Sequence, residues 1–425
     1  MKTFKKSLII ILAFSFICLA LTGCGPLNGK TETATASQSE KSASADESSA
    51  VKITLNGTEA SISGSGATYE NGNVIIGSGG TYSISGELTD GKITVDAGDE
   101  NVTLVLGGVK ITSTDSSAIN IVKARAVTLN VKDGTENELT DAAKYDFGNG
   151  YSDESQEEPN ACVFSKSDLT VTGTGKLSVT GNYSNGIKSK DLLTLESANI
   201  SVNCANNALT GNDGVVVNGG VIDITAKGDG IHSNGSIEIG SGTLTIKADD
   251  DGIHADSSVT LNGGVIDIDC HEGIEGTTVT VNDGTITISA SDDGINAAQK
   301  TDGVTPSVEI NGGEITITMG AGDTDAIDSN GNIVINGGKI TITGQSGFDY
   351  EGKAELNGGE VYLNGQQITE ITNQFAGGMG GFGNMPRGSG NFGGRGERGG
   401  FPGGVPGEGF DPGAATAPEQ ESTVA

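Results

Sequence analysis

Residues 250–274 read DDGIHADSSVTLNGGVIDIDCHEGI and contain one full unit of a pattern that recurs through the chain. After Ile253 come two short alternating runs, SVTLNGG and GVIDIDC, before the next acidic phrase reaches Ile274. Alternation places the apolar residues of each run on one face and the polar residues between them on the other. The unit therefore predicts three short strands separated by turns.

The apolar residue of the acidic phrase recurs at a nearly constant step of 21 to 24 residues, with one step of 32. It is found at Val163, Ile187, Leu209, Ile231, Ile253, Ile274, Ile295, Ile327 and Phe348. A fixed step of this size is typical of stacked repeats that contact only their neighbours. With no helix signal and little proline between residues 51 and 372, the repeat predicts an all-β parallel β-helix. Each coil has three short strands and about 22 residues, and residues 141–160, 297–307 and 319–324 are predicted insertions.

Two further columns of the repeat indicate structural roles. Small inward residues recur at Cys204, Ala226, Ala248, Cys270, Ala290, Met319 and Gly344. Cys204 and Cys270 lie three coils apart, about 14 Å at the strand spacing, which is too far for a disulfide. We therefore predict that they and Cys162 are buried thiols.

A second column consists of asparagines and predicts side-chain hydrogen bonds from coil to coil. Its members are Asn218, Asn262, Asn282, Asn311, Asn336 and Asn357.

Acids flank the recurring apolar residue on both sides. Two positions before it stand Asp229, Asp251, Glu272, Asp293 and Asp325. One position after it, where side chains must point outward, stand His232, His254, Glu275, Asn296, Asp328 and Asp349. Equivalent positions of successive coils lie about 4.8 Å apart. Neighbouring carboxylates would therefore repel by roughly 1 kcal/mol in water and roughly 3–4 kcal/mol at an effective dielectric of about 20.

A bound cation would turn this repulsion into attraction, and clustered oxygen ligands favour calcium. The richest predicted cluster contains Asp292, Asp293, Asp323, Asp325, Asp328, Asp349 and Glu351, and a second contains Asp229, Asp250, Asp251, Glu272 and Glu275. The alternative is a solvated acidic face that discourages edge-to-edge pairing and is screened by salt. His232, His254 and His271 leave open a zinc site, which needs three or four tetrahedral ligands, a stacked polar ladder, or contacts with carbohydrate.

The two ends of the chain differ from the repeat in composition. Residues 1–23 have a basic start and a short apolar run, and Leu21-Thr22-Gly23-Cys24 resembles the lipobox of bacterial lipoproteins. We predict lipidation of Cys24, with attachment to the outer face of the cell membrane only through that lipid. Residues 24–50 are predicted to be a flexible tether, residues 51–372 the β-helix, and residues 373–425 a disordered glycine-rich tail.

Several motifs resemble a bacterial cell-surface carbohydrate-binding β-helix family: DGTENELTD (133–141), EPNACVFSKSDLTVTGTGKLSV (158–179), and the repeated NGIKSK, DGIHS and DDGIHAD. The resemblance covers about residues 51–370. It implies a right-handed, pectate-lyase-like β-helix that is secreted, contains calcium, and binds cellulose or acidic polysaccharide such as polygalacturonate without established catalysis.

Three classes of function remain open from the residues. The formal net charge of −31 argues against nucleic acid or anionic lipid as a direct partner. The partner we expect is a plant cell-wall polysaccharide, either cellulose or an acidic glycan. Because the chain has no tryptophan, we expect it to bind this partner with calcium and hydrogen bonds. A surface adhesin or scaffold is the second class.

The third class, a polysaccharide lyase, would need a basic residue beside calcium. The arginines are Arg125, Arg387, Arg395 and Arg398, and Lys227 and Lys247 are the candidate cations nearest the acids. We therefore predict no catalytic residue.

Overall fold

The computed structural model describes residues 47–148, 153, 157–322 and 324–373. The predicted signal segment 1–23, Cys24, most of the tether, Asp323 and nearly all of the tail lie outside the described residues. No helix that is long and apolar enough to cross a membrane occurs within the described ranges.

The described residues form strands, connected by turns and loops. In chain order the strands are β1 Val51–Gly57, β2 Ala60–Ser63, β3 Ala67–Glu70, β4 Asn73–Ile76, β5 Gly80–Leu88, β6 Lys92–Asp96, β7 Asn101–Thr112, β8 Ile119–Lys123, β9 Ala126–Val131, β10 Glu136–Thr140, β11 Ala161–Ser165, β12 Asp168–Thr172, β13 Lys176–Gly181, β14 Asn185–Ser189, β15 Leu192–Leu195, β16 Ala198–Cys204, β17 Leu209–Gly211, β18 Gly214–Val217, β19 Gly220–Ala226, β20 Ile231–Ser233, β21 Ser236–Ile239, β22 Thr243–Ala248, β23 Asp251–Leu261, β24 Val265–Cys270, β25 Glu272–Val281, β26 Thr285–Ala290, β27 Ile295–Ala297, β28 Ser307–Ile310, β29 Glu314–Met319, β30 Asp325–Ser329, β31 Asn332–Ile335, β32 Lys339–Thr343, β33 Ser346–Tyr350, β34 Ala354–Leu356, β35 Glu360–Leu363 and β36 Gln366–Ile368.

Between the two ends of the solenoid, each strand pairs in parallel with the equivalent strand of the next coil, which confirms the predicted parallel β-helix. The first sheet of the coil contains β4, β6, β8, β11, β14, β17 and β20, then the N-terminal parts of β23 and β25, and then the whole of β27, β30 and β33. The second sheet runs through β9, β12, β15, β18, β21, the C-terminal parts of β23 and β25, and then β28, β31 and β34. The third sheet runs through β10, β13, β16, β19, β22, β24, β26, β29, β32 and β35.

The predicted register is confirmed at the recurring apolar residue. Ile231 pairs with Ile253, and Ile253 pairs with Ile274. Ile295 pairs with Ile327 across the step of 32 residues, so the extra residues are accommodated outside the strands. All of these isoleucines are buried in one continuous core that follows the axis of the solenoid. Stacked isoleucine and valine side chains thus remove apolar surface from water in every coil.

The cysteine and asparagine predictions are also confirmed. Cys162, Cys204 and Cys270 are buried free thiols. From Asn282 onward, each asparagine side-chain amide of this column donates to the side-chain oxygen of the asparagine in the coil before it. The four bonds join Asn282 to Asn262, Asn311 to Asn282, Asn336 to Asn311 and Asn357 to Asn336 at 2.8–3.0 Å. The earlier Asn218 instead donates to Glu196.

The ends of the solenoid contain antiparallel pairs that the repeat did not predict. At the N-terminal end, β2 pairs antiparallel with β1 and β3 pairs antiparallel with β4. At the C-terminal end, β36 folds back on β35. A terminal coil has no further coil to pair with, and these hairpins occupy backbone groups that would otherwise form an open edge.

Gly220, at the start of β19, illustrates how closely the coils stack. It has a φ of +109°, and a Cβ atom there would lie 2.0 Å from the backbone oxygen of Ala198, its partner in the preceding coil. We expect Gly220→Ala to lower the free energy of unfolding by about 2 kcal/mol or more, through backbone strain and overlap. Denaturant unfolding would measure the change. Gly77→Ala is the control because a Cβ there contacts nothing within 4 Å, and equal stability of the two variants would contradict the stacking argument.

Candidate functional site

The outward side chains of the first sheet form a single file across the coils. We call this file the outward row, and it contains Lys188, Thr210, His232, His254, Glu275, Asn296, Asp328 and Asp349. Successive members are about 4.8 Å apart because they belong to paired parallel strands. The row changes from a cation at Lys188, through polar and imidazole side chains, to carboxylates at its C-terminal end.

A second file, the turn column, lies three residues before each member of the outward row. It contains Asn185, Asn207, Asp229, Asp251, Glu272, Asp293, Asp325 and Ser346. At four positions, Asn185, Asn207, Asp229 and Asp293, a side-chain oxygen of this column accepts a hydrogen bond from the backbone N–H of the equivalent residue in the next coil. Asn207 Oδ1 accepts from Asp229 N at 2.9 Å, and Asp293 Oδ1 accepts from Asp325 N at 2.9 Å. Part of the function of these acids is therefore to satisfy backbone donors at a turn.

This hydrogen bond does not require a negative charge. Asn185 and Asn207 make it with neutral amide oxygens in the first coils of the column, while Asp229 and Asp293 make it with carboxylates. Asp229 and Asp251 are also buried, so ionising them removes a charge from water at a cost in free energy. The change from asparagine to carboxylate therefore needs a second explanation, and the solvated-face interpretation does not supply one for buried groups.

Histidines provide that explanation in two coils. His232 Nδ1 lies 2.7 Å from Asp229 Oδ2, and His254 Nδ1 lies 2.6 Å from Asp251 Oδ2. The two imidazole rings stack with their centroids 5.1 Å apart. These pairs confirm that His232 and His254 belong to a stacked polar ladder, with each ring oriented by the acid three residues before it.

Around His254 the protein neutralises its own acids. His254 Nδ1 is also 2.8 Å from Glu275 Oε2, and Lys300 Nζ, from an insertion, is 2.9 Å from Glu275 Oε1. Burial alone would lower the pKa of His254, but its hydrogen bonds with Asp251 and Glu275 outweigh burial and raise that pKa to about 10. Burial would raise the pKa of Glu275, and the bonds from His254 and Lys300 instead lower it. A protonated imidazole is a donor and does not ligate a metal, so these groups do not favour zinc.

The two histidines His254 and His271 provide a matched test of this pairing. His254→Ala would leave Asp251 and Glu275 buried without their shared donor, whereas the side chain of His271 is half exposed and lies 4.0 Å from Asp292. We expect His254→Ala to lower the free energy of unfolding at neutral pH by about 2–3 kcal/mol. His271→Ala should change it by less than about 0.5 kcal/mol. Urea unfolding of both variants checks this, and equal effects would contradict the internal pairing.

At the C-terminal end of the row the acids have no such partner. Burial raises the pKa of Asp293 to about 6, opposed by the Asp325 N–H and reinforced by Asp292, Asp325 and Asp349. Burial, followed by Asp293 and Asp349, raises the pKa of Asp328 to about 7. Within the described ranges, Asp293, Asp328 and Asp349 make no ion pair with a lysine, arginine or histidine. The repulsion anticipated from the repeat is thus concentrated in these coils.

The raised pKa values predict how stability depends on pH in the absence of divalent cations. Between about pH 4 and pH 7 the unfolded chain loses the protons of Asp293 and Asp328 before the folded chain does, so the free energy of unfolding should fall as pH rises. Asp293→Asn keeps the turn hydrogen bond, as Asn207 does, but removes the charge that faces Asp292, Asp325 and Asp349.

We therefore expect the Asp293→Asn protein, in chelator, to be more stable than wild type near neutral pH and equal to it near pH 4. Thermal unfolding across this pH range measures both. If the variant were less stable by the same amount at every pH, the carboxylate would contribute through hydrogen bonding alone.

The predicted metal residues are therefore distributed in two environments. Within the described parts of the chain, two groups place three ligand atoms within 4.8 Å of one another: Asp229, Asp250 and Asp251, and Asp251, His254 and Glu275. Glu272 is bonded by Asn296 at 2.7 Å, and burial followed by Glu275 raises its pKa to about 8. The richer predicted cluster remains a prediction, and its member Asp323 lies outside the described residues.

Sequence reasoning missed the cations that matter in this file. Lys227 and Lys247, which it singled out, lie on the third-sheet side and pair with Asp249 and Asp269. The cations of the outward row are instead Lys188, which is a member of it, and Lys300, which comes from an insertion. Registering NGIKSK on DGIHS would have placed Lys188 in line with His232, but nothing in the sequence fixes the position of Lys300.

An aromatic cluster also lies beside the insertion at residues 141–160. The rings of Tyr145 and Tyr183 stack with centroids 4.3 Å apart, and Phe147 lies 6.3 Å from Tyr183. The Tyr145 hydroxyl donates to Asp141 Oδ2 at 2.6 Å. Burial raises the pKa of Asp141 to about 6 despite this bond. The cluster anchors the insertion to the coil.

Comparison with known proteins supplies the family. The family described as carbohydrate-binding domain-containing protein matches residues 70–321 and 270–374, well over half of the chain. The chain belongs to this family. A carbohydrate-binding domain-containing protein of Acetivibrio thermocellus is 38% identical over 196 residues. That match covers 45% of this chain and 64% of the relative's length.

A solved structure also matches, described as the polysaccharide lyase-like protein from C. thermocellum in a gadolinium derivative. It has 27% sequence identity to this chain and a TM-score of 0.39, and the match covers 75% of this chain and 95% of the other.

Proposed function

We propose that this protein is a non-catalytic, calcium-dependent polysaccharide-binding protein of the cell surface. The observation that carries the calcium part is the group of Asp293, Asp328 and Asp349, whose carboxylates repel one another without an ion pair from the described residues. Family membership supports the carbohydrate part. The acid group and the family membership together favour an acidic, uronate-type glycan, because a calcium ion can lie between the carboxylates of the protein and those of the glycan.

The donor chemistry of these coils fits a hard divalent cation. Asp293, Asp325, Asp328 and Asp349 offer carboxylate oxygens on adjacent coils, and calcium accepts six to eight oxygen ligands with flexible geometry. Magnesium, in contrast, prefers a near-ideal octahedron with several bound waters. Calcium bound there would neutralise the acids and leave coordination positions for glycan oxygens.

The coils around His254 fit calcium less well. Asp251 and Glu275 already share the His254 imidazolium, and Glu275 also binds Lys300. A divalent cation would have to displace these internal cations. We therefore assign calcium to the C-terminal coils and a structural role to the acids beside His254.

The composition and the placement of cations support binding without catalysis. A lyase on such a surface would need a basic group free to remove a proton beside the metal. Arg125 lies 3.8 Å from Asp99, far along the chain from Asp293 and from the acids of β30 and β33. Lys300 is engaged with Glu275. The adhesin or scaffold alternative differs from our proposal by predicting no sugar specificity.

Surface attachment is part of the proposal. Leu21-Thr22-Gly23-Cys24 provides a lipobox, and residues 25–50 provide small polar residues suited to a tether. A lipid on Cys24 would hold the solenoid at the outer face of the membrane, where extracellular calcium and polysaccharide are accessible.

The test combines two substitutions with two ligands. In Asp293→Asn/Asp325→Asn both side chains can still accept hydrogen bonds, so the coils should fold. Wild type should gain thermal stability with rising calcium and bind polygalacturonate more tightly in calcium than in chelator. The double variant should lose both calcium effects. Melting curves and binding isotherms measure these quantities.

The control variant is Asp267→Asn, which removes an exposed carboxylate from the third sheet. It should behave as wild type does in both assays. Equal melting curves of ion-free wild type with calcium and with chelator would refute calcium binding. The same samples should form no unsaturated uronate product, and steady product formation would refute the non-catalytic assignment.

A further inference from the structure

Lys188 differs from the lysines around it. Its neighbours Lys166 and Lys190 both pair with Glu158, the first at 2.9 Å. Lys188 is half-buried in the outward row, and its ammonium group makes no hydrogen bond or ion pair within the described ranges. Burial lowers its pKa, and the nearby Glu158 only partly offsets that effect. A half-buried ammonium group without a partner is costly to the folded state.

Thr210 follows Lys188 in the outward row and provides an independent observation. Its side chain is only 3% exposed, and its Oγ1 has no hydrogen-bond partner among the described residues. An unsatisfied buried hydroxyl costs about 1–3 kcal/mol, so such a group needs an explanation. Lys188 and Thr210 pair directly in the register of β14 and β17. A half-buried cation and a buried hydroxyl, each without a partner among the described residues, are therefore neighbours in the outward row.

The next members of the outward row, His232 and His254, are also polar. His232 pairs with Thr210 in register, and its ring is oriented by Asp229. Two insertions contact the coils on either side of this stretch. Glu158 binds the lysines beside Lys188, and Lys300 binds Glu275 beyond His254. The segment between these contacts spans Lys188, Thr210, His232 and His254, about 14 Å along the solenoid.

We propose that Lys188 and Thr210 form a subsite for the carboxylate of an acidic sugar, at the opposite end of the outward row from the calcium-binding acids. This subsite rests on the proposed polysaccharide-binding function and specifies its ligand. The carboxylate accepts a charge-assisted hydrogen bond from Lys188 Nζ and a second from the Thr210 hydroxyl once the flexible lysine side chain moves aside. Both unpaired groups are then satisfied by one ligand.

The chemistry of the subsite differs from that of the C-terminal coils. There, a carboxylate-bearing polymer needs calcium between itself and the protein, whereas at Lys188 it meets a cation directly. An acidic glycan that follows the row would thus be held by a lysine at one end and through calcium at the other. The two ends make separable contributions, because only one of them depends on calcium.

The experiment measures binding of a short oligogalacturonate and of a neutral cello-oligosaccharide of equal length, in calcium and in chelator. Lys188→Met retains the aliphatic stem and removes the charge. We expect it to weaken oligogalacturonate binding about tenfold or more in both conditions. It should leave neutral-glycan binding unchanged. Lys188→Arg should retain most of the acidic-ligand affinity, and Lys176→Met, an exposed lysine paired with Glu136, should behave as wild type does.

Thr210→Val provides a second variant with a signature that a structural role would not give. The hydroxyl has no hydrogen-bond partner among the described residues, so its removal should leave thermal stability unchanged or raised. The same variant should bind oligogalacturonate more weakly. A loss of stability together with unchanged affinity would show that the hydroxyl acts in folding.

The outcomes separate this inference from the proposed function. If wild type binds oligogalacturonate and Lys188→Met binds it equally well, the subsite is refuted while the function stands. If wild type binds only the neutral glycan, the acidic subsite is refuted and carbohydrate binding stands. If wild type binds no glycan in either condition, both fail together.

Discussion

The spacing of about 4.8 Å between paired parallel strands governs this molecule. Each residue lies above its equivalent in the previous coil, so any side-chain type that repeats must interact with itself. Isoleucines such as Ile253 and Ile274 benefit from this, because they pack into a continuous core. Asparagines such as Asn311 and Asn336 benefit as well, since an amide is both donor and acceptor. Ionised carboxylates cannot hydrogen-bond to one another, because each is only an acceptor, so each needs a donor or a cation.

The turn column shows three solutions to this constraint. Asn185 and Asn207 avoid charge altogether while capping the next backbone N–H. Asp229 and Asp251 keep the charge and pair it with a histidine three residues later. Asp293 keeps the charge among other acids, and burial with these neighbours raises its pKa. Asn185, Asn207, Asp229 and Asp293 meet the same backbone requirement, so the differences between these coils report on electrostatics. This is why we propose calcium binding for the C-terminal coils.

The repeat made the fold predictable, because strict periodicity fixes which residues share a column. The register of Ile231, Ile253 and Ile274 and the asparagine ladder followed from spacing alone. The end hairpins could not be predicted, since β2, β3 and β36 do not belong to the repeat. The partners of the acids were only partly predictable. The His254–Asp251 pair is local in sequence, whereas Lys300 reaches Glu275 from an insertion whose path no periodicity defines.

Insertions therefore carry the information that the repeat lacks. A solenoid of identical coils would present the same surface at every level and could not distinguish one end of a ligand from the other. Here, residues of two insertions, Glu158 and Lys300, bind charged side chains at separate coils and divide the outward row. Among the residues that the structure describes, the row consequently begins with a lysine that has no ion pair, passes through paired histidines and ends in carboxylates that have no ion pair. Such a gradient gives a periodic surface a direction, which a polar polysaccharide chain lying along it could match.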